Sequence, residues 1–151
     1  VISVILSATA DPKPLARLLA TLVPAAADGI VREVAVLGAA GDAALVADDA
    51  GAELYAAGAF AEAFEKARGP WVMSLPLTCG LWPDWMEVVA AHLSRDTAAR
   101  LVVKHRSFLS PTPQGWLVPK RLASAGGVAE QDLQRLARLG GGRGLRILDR
   151  R

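Results

Sequence analysis

Short β-rich runs alternate with amphipathic stretches of helical length along most of this 151-residue chain. That alternation constrains the fold more than any other feature. Val1 to Leu6 is an apolar run of the kind buried in a parallel sheet. Asp11 is placed to cap the helix that follows, Pro14 suits its first turn, and Leu15, Leu18, Leu19 and Leu22 share one face. Glu33 to Leu37 reads as a second strand ending at Gly38, and Asp42 is expected to cap a helix closed by Gly51. An edge-type strand at Ala52 to Tyr55 precedes a helix with Phe60, Phe64 and Ala67 on one face, stopped by Gly69-Pro70. Trp71 to Leu75 is a fourth strand. From Pro83 a helix sets Trp85, Val88, Val89, His92 and Leu93 on one stripe, and Leu101 to Val103 is again a strand. Such alternation implies right-handed crossovers and a mostly parallel sheet covered on both sides, a three-layer α/β/α fold.

Ser107 to Gly115, with Pro111 and Pro113, is the one clear loop. After it come a short strand at Trp116 to Val118, a helix from about Ala129 to Leu139, a turn at Gly140 to Gly144 and a last strand at Leu145 to Leu148. A chain of this length that is 52% hydrophobic fits one compact domain spanning residues 1–151. Aromatic residues make up only 5%, which favours helices packed closely on small side chains over an aromatic-rich sandwich. Cys79 is the single cysteine, so an internal disulfide is excluded and a reducing, cytoplasmic compartment fits. The opening apolar run followed by Ala8-Thr9-Ala10 imitates a signal peptide, but no basic residue precedes it and it is six residues long. No stretch approaches the roughly 20 apolar residues needed to span a bilayer.

The formal charge of +2 conceals a division of the chain. Residues 1–99 carry six Lys/Arg against twelve Asp/Glu, a net of −6, while 100–151 carry eleven against three, a net of +8. A cationic last third suits a phosphate-bearing ligand, an anionic surface such as the inner membrane, or an acidic protein partner; spread over several elements, it is a solvated face. Phe108 and Trp116 are not interleaved with the arginines as a stacking platform, so no specific nucleic-acid binding is expected.

The order and spacing of these phrases resemble glycosyltransferase family 2, the nucleotide-sugar transferases of GT-A fold, over roughly residues 1–95 and again over 115–148. Ile2 to Leu6 with Leu15 to Leu19 looks like the family's first strand and helix. Glu33 to Leu37 with Asp42 looks like its second strand and following turn, and Gly69 to Leu75 with Pro83-Asp84-Trp85 looks like the flanks of its metal motif. The resemblance implies a Rossmann-like fold with a nucleotide-binding half at 1–99 and a shortened acceptor half at 100–151. It also implies a nucleoside diphosphate sugar as ligand, an Asp-x-Asp motif holding Mg²⁺ or Mn²⁺, and a carboxylate that deprotonates the acceptor.

Carried over residue by residue, that inventory is incomplete. Pro76, Leu77 and Thr78 stand where the family has its metal motif, and none of them ionises, so no divalent metal is expected. Gly38 and Ala39 stand at the aspartate that contacts the base. Asp11, Asp42 and Thr78 are the candidate nucleotide contacts, with helix capping the alternative for Asp42. Glu130, with Asp132 beside it, aligns with the acceptor base, although both also suit a helix's first turn. Lys104, Arg106, Lys120 and Arg121 are the candidate phosphate clamp. The expectation is a glycosyltransferase-like domain that has lost metal-dependent transfer and acts as a binding or interaction module. The alternatives are a metal-independent transferase using the basic residues with Glu130 as base, and a module for anionic membranes or acidic proteins.

Other chemistries leave less. His92 on a helix stripe and His105 in a basic run form no nucleophilic triad. Gly140 to Gly144 lacks the Lys-Ser/Thr ending of a phosphate loop. Cys79 is either exposed at the ligand edge or an apolar filler, Trp85 is expected in the core, and Trp82 either stacks on a sugar or fills the core.

Overall fold

A computed structural model of the chain describes residues 1–103, 114–123, 129–139 and 144–150. Its elements run β1 (Ile2–Ser7), α1 (Pro12–Ala27), β2 (Val31–Leu37), α2 (Asp42–Asp49), β3 (Glu53–Tyr55), α3 (Phe60–Lys66), β4 (Trp71–Ser74), β5 (Cys79–Leu81), α4 (Trp85–Leu93), β6 (Ala99–Val103), β7 (Gly115–Pro119), a 3-10 turn (Lys120–Leu122), α5 (Glu130–Leu139) and β8 (Leu145–Arg150). Among the described residues the strands form one eight-stranded sheet in the order β3-β2-β1-β4-β7-β6-β8-β5.

The first half is the parallel α/β unit expected from the sequence, with β2 and β4 flanking β1 and β3 outside β2. The second half is mixed. β7 runs antiparallel to both β4 and β6, β8 is parallel to β6, and β5 closes the order antiparallel to β8. The fifteen residues between β2 and β3 hold the eight-residue helix α2, enough for the crossover that a parallel pairing needs.

Alternation along the strands builds the three layers. Ile2, Val4 and Leu6 of β1 pack with Leu15, Leu18 and Leu22 of α1, Ala43 and Ala47 of α2, and Trp85 and Val89 of α4. Ile5, Ala35, Val72, Trp116 and Val118 point to the other face and meet Ala63 and Phe64 of α3 and Leu133 and Ala137 of α5. Small residues on α2, α3 and α5 let the helices lie close to the sheet. Phe60 and Phe64 sit 6.2 Å apart, and Phe60 meets Trp116 edge-on at 5.8 Å.

Local signals act largely as the sequence implies. The Asp11 side chain accepts a hydrogen bond from the Lys13 backbone N–H at 3.0 Å, which caps α1. The cap of α2 differs from expectation, because Gly41, at φ +55°, holds the cap position and Asp42 is the first helical residue. Asp42 places its negative charge at the helix's positive end without a side-chain capping bond. Cys79 belongs to β5 and is buried, so its role is packing. His92 is buried too, its Nε2 2.7 Å from the Thr97 carbonyl oxygen and its ring edge-on to Trp71.

Candidate functional site

The carboxyl ends of β1, β2 and β3 stop level with one another, with Ser7 beside Leu37 and Leu37 beside Tyr55. Ala8 N–H donates to the Leu37 carbonyl at 2.8 Å, and Gly38 N–H donates to the Tyr55 carbonyl at 2.8 Å. Three segments leave from this edge: Ala8 to Asp11 after β1, Gly38 to Asp42 after β2, and Leu75 to Thr78 after β4. The α1 crossover from β1 to β2 covers one face, and α3, leading from β3 to β4, covers the other. The winding therefore reverses between β1 and β4, and a crevice opens outside their carboxyl ends, the place where open α/β sheets receive ligands.

The chemistry of that edge is sparse. Asp11 is exposed, with one carboxylate oxygen engaged in the α1 cap, and Asp42 is exposed at the start of α2. Gly38 has φ +69°, and a Cβ there would lie 3.1 Å from Ala57 Cβ, so the chain turns tightly with no side chain reaching the crevice. Pro76 to Cys79 forms a turn closed by the Cys79 N–H on the Pro76 carbonyl at 3.3 Å, and Thr78 is exposed. A hard divalent cation takes several oxygen ligands, usually with carboxylates among them. Pro76, Leu77 and Thr78 supply one neutral hydroxyl and backbone carbonyls, a donor set that does not fit such an ion. Among the described residues no group of three or more His, Cys, Asp and Glu is placed to hold a metal.

Beneath this turn lies a cavity of about 260 Å³ between α1 and β5. Arg17 and Thr21 of α1 line one side; Leu77, Thr78, Cys79 and Leu81 line the other. Neither Arg17 nor Thr21 stands out in sequence, although their i, i+4 spacing puts both on one helix face. Trp82, half-buried, leads from β5 into α4, its backbone N–H donating to the Ile147 carbonyl at 2.9 Å. Trp85 is 2% exposed and belongs to the core, as its stripe implies.

The four basic candidates do not converge. Lys104 and Arg106 lie outside the described residues, as does His105. Lys120 and Arg121 follow β7, whose last residue pairs with Trp71 at the beginning of β4, so they occupy the opposite edge of the sheet from the crevice. Lys120 Nζ donates to the carbonyls of Glu65 at 2.7 Å and Ala67 at 2.6 Å, capping the end of α3. The Arg121 guanidinium is paired with the Asp96 carboxylate, its Nε 3.0 Å from Oδ1. These two cations are therefore removed from the expected phosphate clamp by position and by partner. Glu130, half-buried, and Asp132, exposed, form the first turn of α5. Among the described residues no side-chain hydrogen bond or ion pair ties either to the segments after β1, β2 and β4.

No family profile matches the chain, and no curated protein matches it in sequence. Solved structures do match. Glucosyl-3-phosphoglycerate synthase from Mycobacterium tuberculosis, determined in complex with Mn²⁺, UDP and glucosyl-3-phosphoglycerate, aligns with a TM-score of 0.61 and 17% identity over 80% of this chain and 57% of that one. A mycobacterial protein aligns at 0.57 with 18% identity, covering 80% of this chain and 54% of its own. The 1–349 portion of S. aureus TarS aligns at 0.53 with 16% identity over 73% of this chain and 37% of that portion. The chain thus spans between about a third and three fifths of the length of these structures. At this level of identity the likeness concerns architecture. The reversal at β1 and β4, the mixed second half and these neighbours together give the chain a GT-A, glycosyltransferase-like fold.

Proposed function

We propose that the chain is a nucleotide-sugar-binding module that has lost metal-dependent sugar transfer. The observation that carries this reading is the Pro76-Leu77-Thr78 turn, which leaves β4 at the reversal point of the sheet without a carboxylate. The neighbouring synthase was determined with Mn²⁺ and UDP bound, and a diphosphate held without metal needs other positive charge. The absent side chain at Gly38 points the same way, since it leaves the turn after β2 without the acid that resembled proteins direct at the base. On this reading residues 1–99 hold the nucleotide through Asp11, Asp42 and Thr78, and residues 100–151 are a reduced acceptor half.

A metal-independent transferase is the second reading, favoured by the +8 balance of residues 100–151. With Lys120 and Arg121 committed elsewhere, Lys104 and Arg106 are its phosphate-binding cations, and Glu130, supported by Asp132, is its base. Thermal-shift measurements with UDP- and GDP-sugars, each with and without Mn²⁺, separate the two, because selective binding raises the melting temperature by mass action. The leading reading expects a rise that is independent of Mn²⁺ and no sugar release. Release that Glu130→Ala abolishes without weakening binding would establish the second reading instead. No nucleotide response together with salt-reversible binding to anionic vesicles would replace both with a surface module, of which no described helix is long and apolar enough to cross a membrane.

A further inference from the structure

A second cleft, of about 100 Å³, lies between α5 and the β6–β7 pair and shares no residue with the strand-end crevice. Arg100 stands directly opposite Trp116 in the antiparallel ladder, so the two side chains share the sheet face that α5 covers. Gln134, Ala137 and Arg138 fall at i, i+3 and i+4 on α5 and form the opposing wall, with Gln114 at the rim. Ala137, with a one-carbon side chain, adds little bulk to that wall. The lining contains two arginines, two carboxamides and no carboxylate. Among the described residues neither Arg100 nor Arg138 makes a side-chain hydrogen bond or an ion pair. The other basic groups in the described structure that approach an acid, such as Arg68 and Arg121, are paired with it.

Two guanidinium groups around one polar cleft repel each other unless an anion lies between them. Each offers a planar fork of donors that matches the oxygens of a tetrahedral oxyanion, and carboxamide N–H groups complete the shell. We propose that this cleft binds a phosphate group, either free or as a phosphomonoester. Phosphate is favoured over a carboxylate because the lining takes its donor-bearing residues from β6, from Gln114 before β7 and from α5, and a tetrahedral group can accept from more of these directions than a planar two-oxygen group.

The test is isothermal titration of the full chain with inorganic phosphate at constant ionic strength, with acetate and glycerol phosphate as parallel arms. Saturable one-site phosphate binding is expected, weakened about tenfold in Arg100→Gln and in Arg138→Gln. Arg146→Gln, an exposed arginine on β8 in the same basic third, is expected to bind as the parent chain does. Glycerol phosphate binding as tightly as inorganic phosphate indicates a monoester ligand, and much weaker binding indicates free phosphate. Absence of saturable binding, equal affinity for acetate, or an equal loss in Arg146→Gln would overturn the proposal. Should Arg100→Gln fail to fold by circular dichroism, Arg138→Gln, at an exposed position, decides alone. UDP-sugar affinity in these variants is expected to equal that of the parent, so failure here and failure of the strand-end reading are distinguishable.

Discussion

Glu33 is the most heavily engaged acid in the described structure, and its partners show how one carboxylate fixes three elements. Its side chain is only 9% exposed. One oxygen accepts from the Ser3 hydroxyl at 2.5 Å and from the Arg68 backbone N–H at 2.5 Å, and the other is paired with the Arg68 guanidinium. Ser3 Oγ in turn accepts from the Gly69 N–H at 2.8 Å, so β1, β2 and the turn before β4 are tied together. Gly69 is required there, because a Cβ would lie 2.7 Å from Ser3 Oγ. Burial pushes the Glu33 carboxyl upward, but the hydrogen bonds from Ser3 and Arg68 outweigh it and the net shift is downward. A carboxyl lowered on folding contributes stability above its unfolded pKa, and that contribution is lost as the pH falls through the folded one. Glu33→Gln is therefore expected to lower stability at pH 7 by about 2 kcal/mol and to flatten the acid limb below about pH 4.5, as read by urea unfolding across pH. An unchanged acid limb would show that Glu33 is not the group responsible. The sequence shows this residue only as the start of a strand, since its partners are 30 and 35 positions away.

At the scale of elements, the strongly periodic segments are legible and their assembly is not. Leucine spacing marks α1, and the apolar run marks β1, because each buries a full face. β5 escapes notice at three residues, too short for any periodicity, and its partner β8 lies far along the chain. The antiparallel pairings of β7 are equally invisible locally, because strand direction is set by connections rather than by side chains. The same limit applies to Lys120. A lysine in a basic third reads as a phosphate ligand until the fold carries it to the far edge of the sheet, under the end of α3. Lys120→Met is therefore expected to lower stability by about 1–2 kcal/mol through the loss of hydrogen bonds to the carbonyls of Glu65 and Ala67, while nucleotide affinity stays unchanged. Denaturant midpoints and a nucleotide titration on one preparation check both halves. The turn after β4 gives the converse case: Pro76→Asp combined with Thr78→Asp supplies two carboxylates at the ligand edge and is expected to create a Mn²⁺-dependent rise in melting temperature with UDP. If the double variant folds and gains no such dependence, the turn is not placed to hold a metal.

For the whole molecule, the two halves of the sheet divide the labour. The parallel half, β3-β2-β1-β4, creates the crevice by reversing its winding, and the mixed half extends the sheet and carries most of the positive charge. On the proposed reading this division keeps the crevice of a nucleotide-sugar site, and among the described residues the acids in the segments after β1 and β2 are Asp11 and Asp42. The absence of metal-binding carboxylates is legible directly in the sequence at Pro76, Leu77 and Thr78. What it does to binding is a property of the assembled edge, and it is measured by the affinity for UDP in Mn²⁺ relative to that in EDTA, by isothermal titration of the full chain. With Pro76, Leu77 and Thr78 in place of carboxylates at the turn after β4, saturable binding is expected with a ratio within about twofold of one. A ratio of tenfold or more in favour of Mn²⁺ would contradict it.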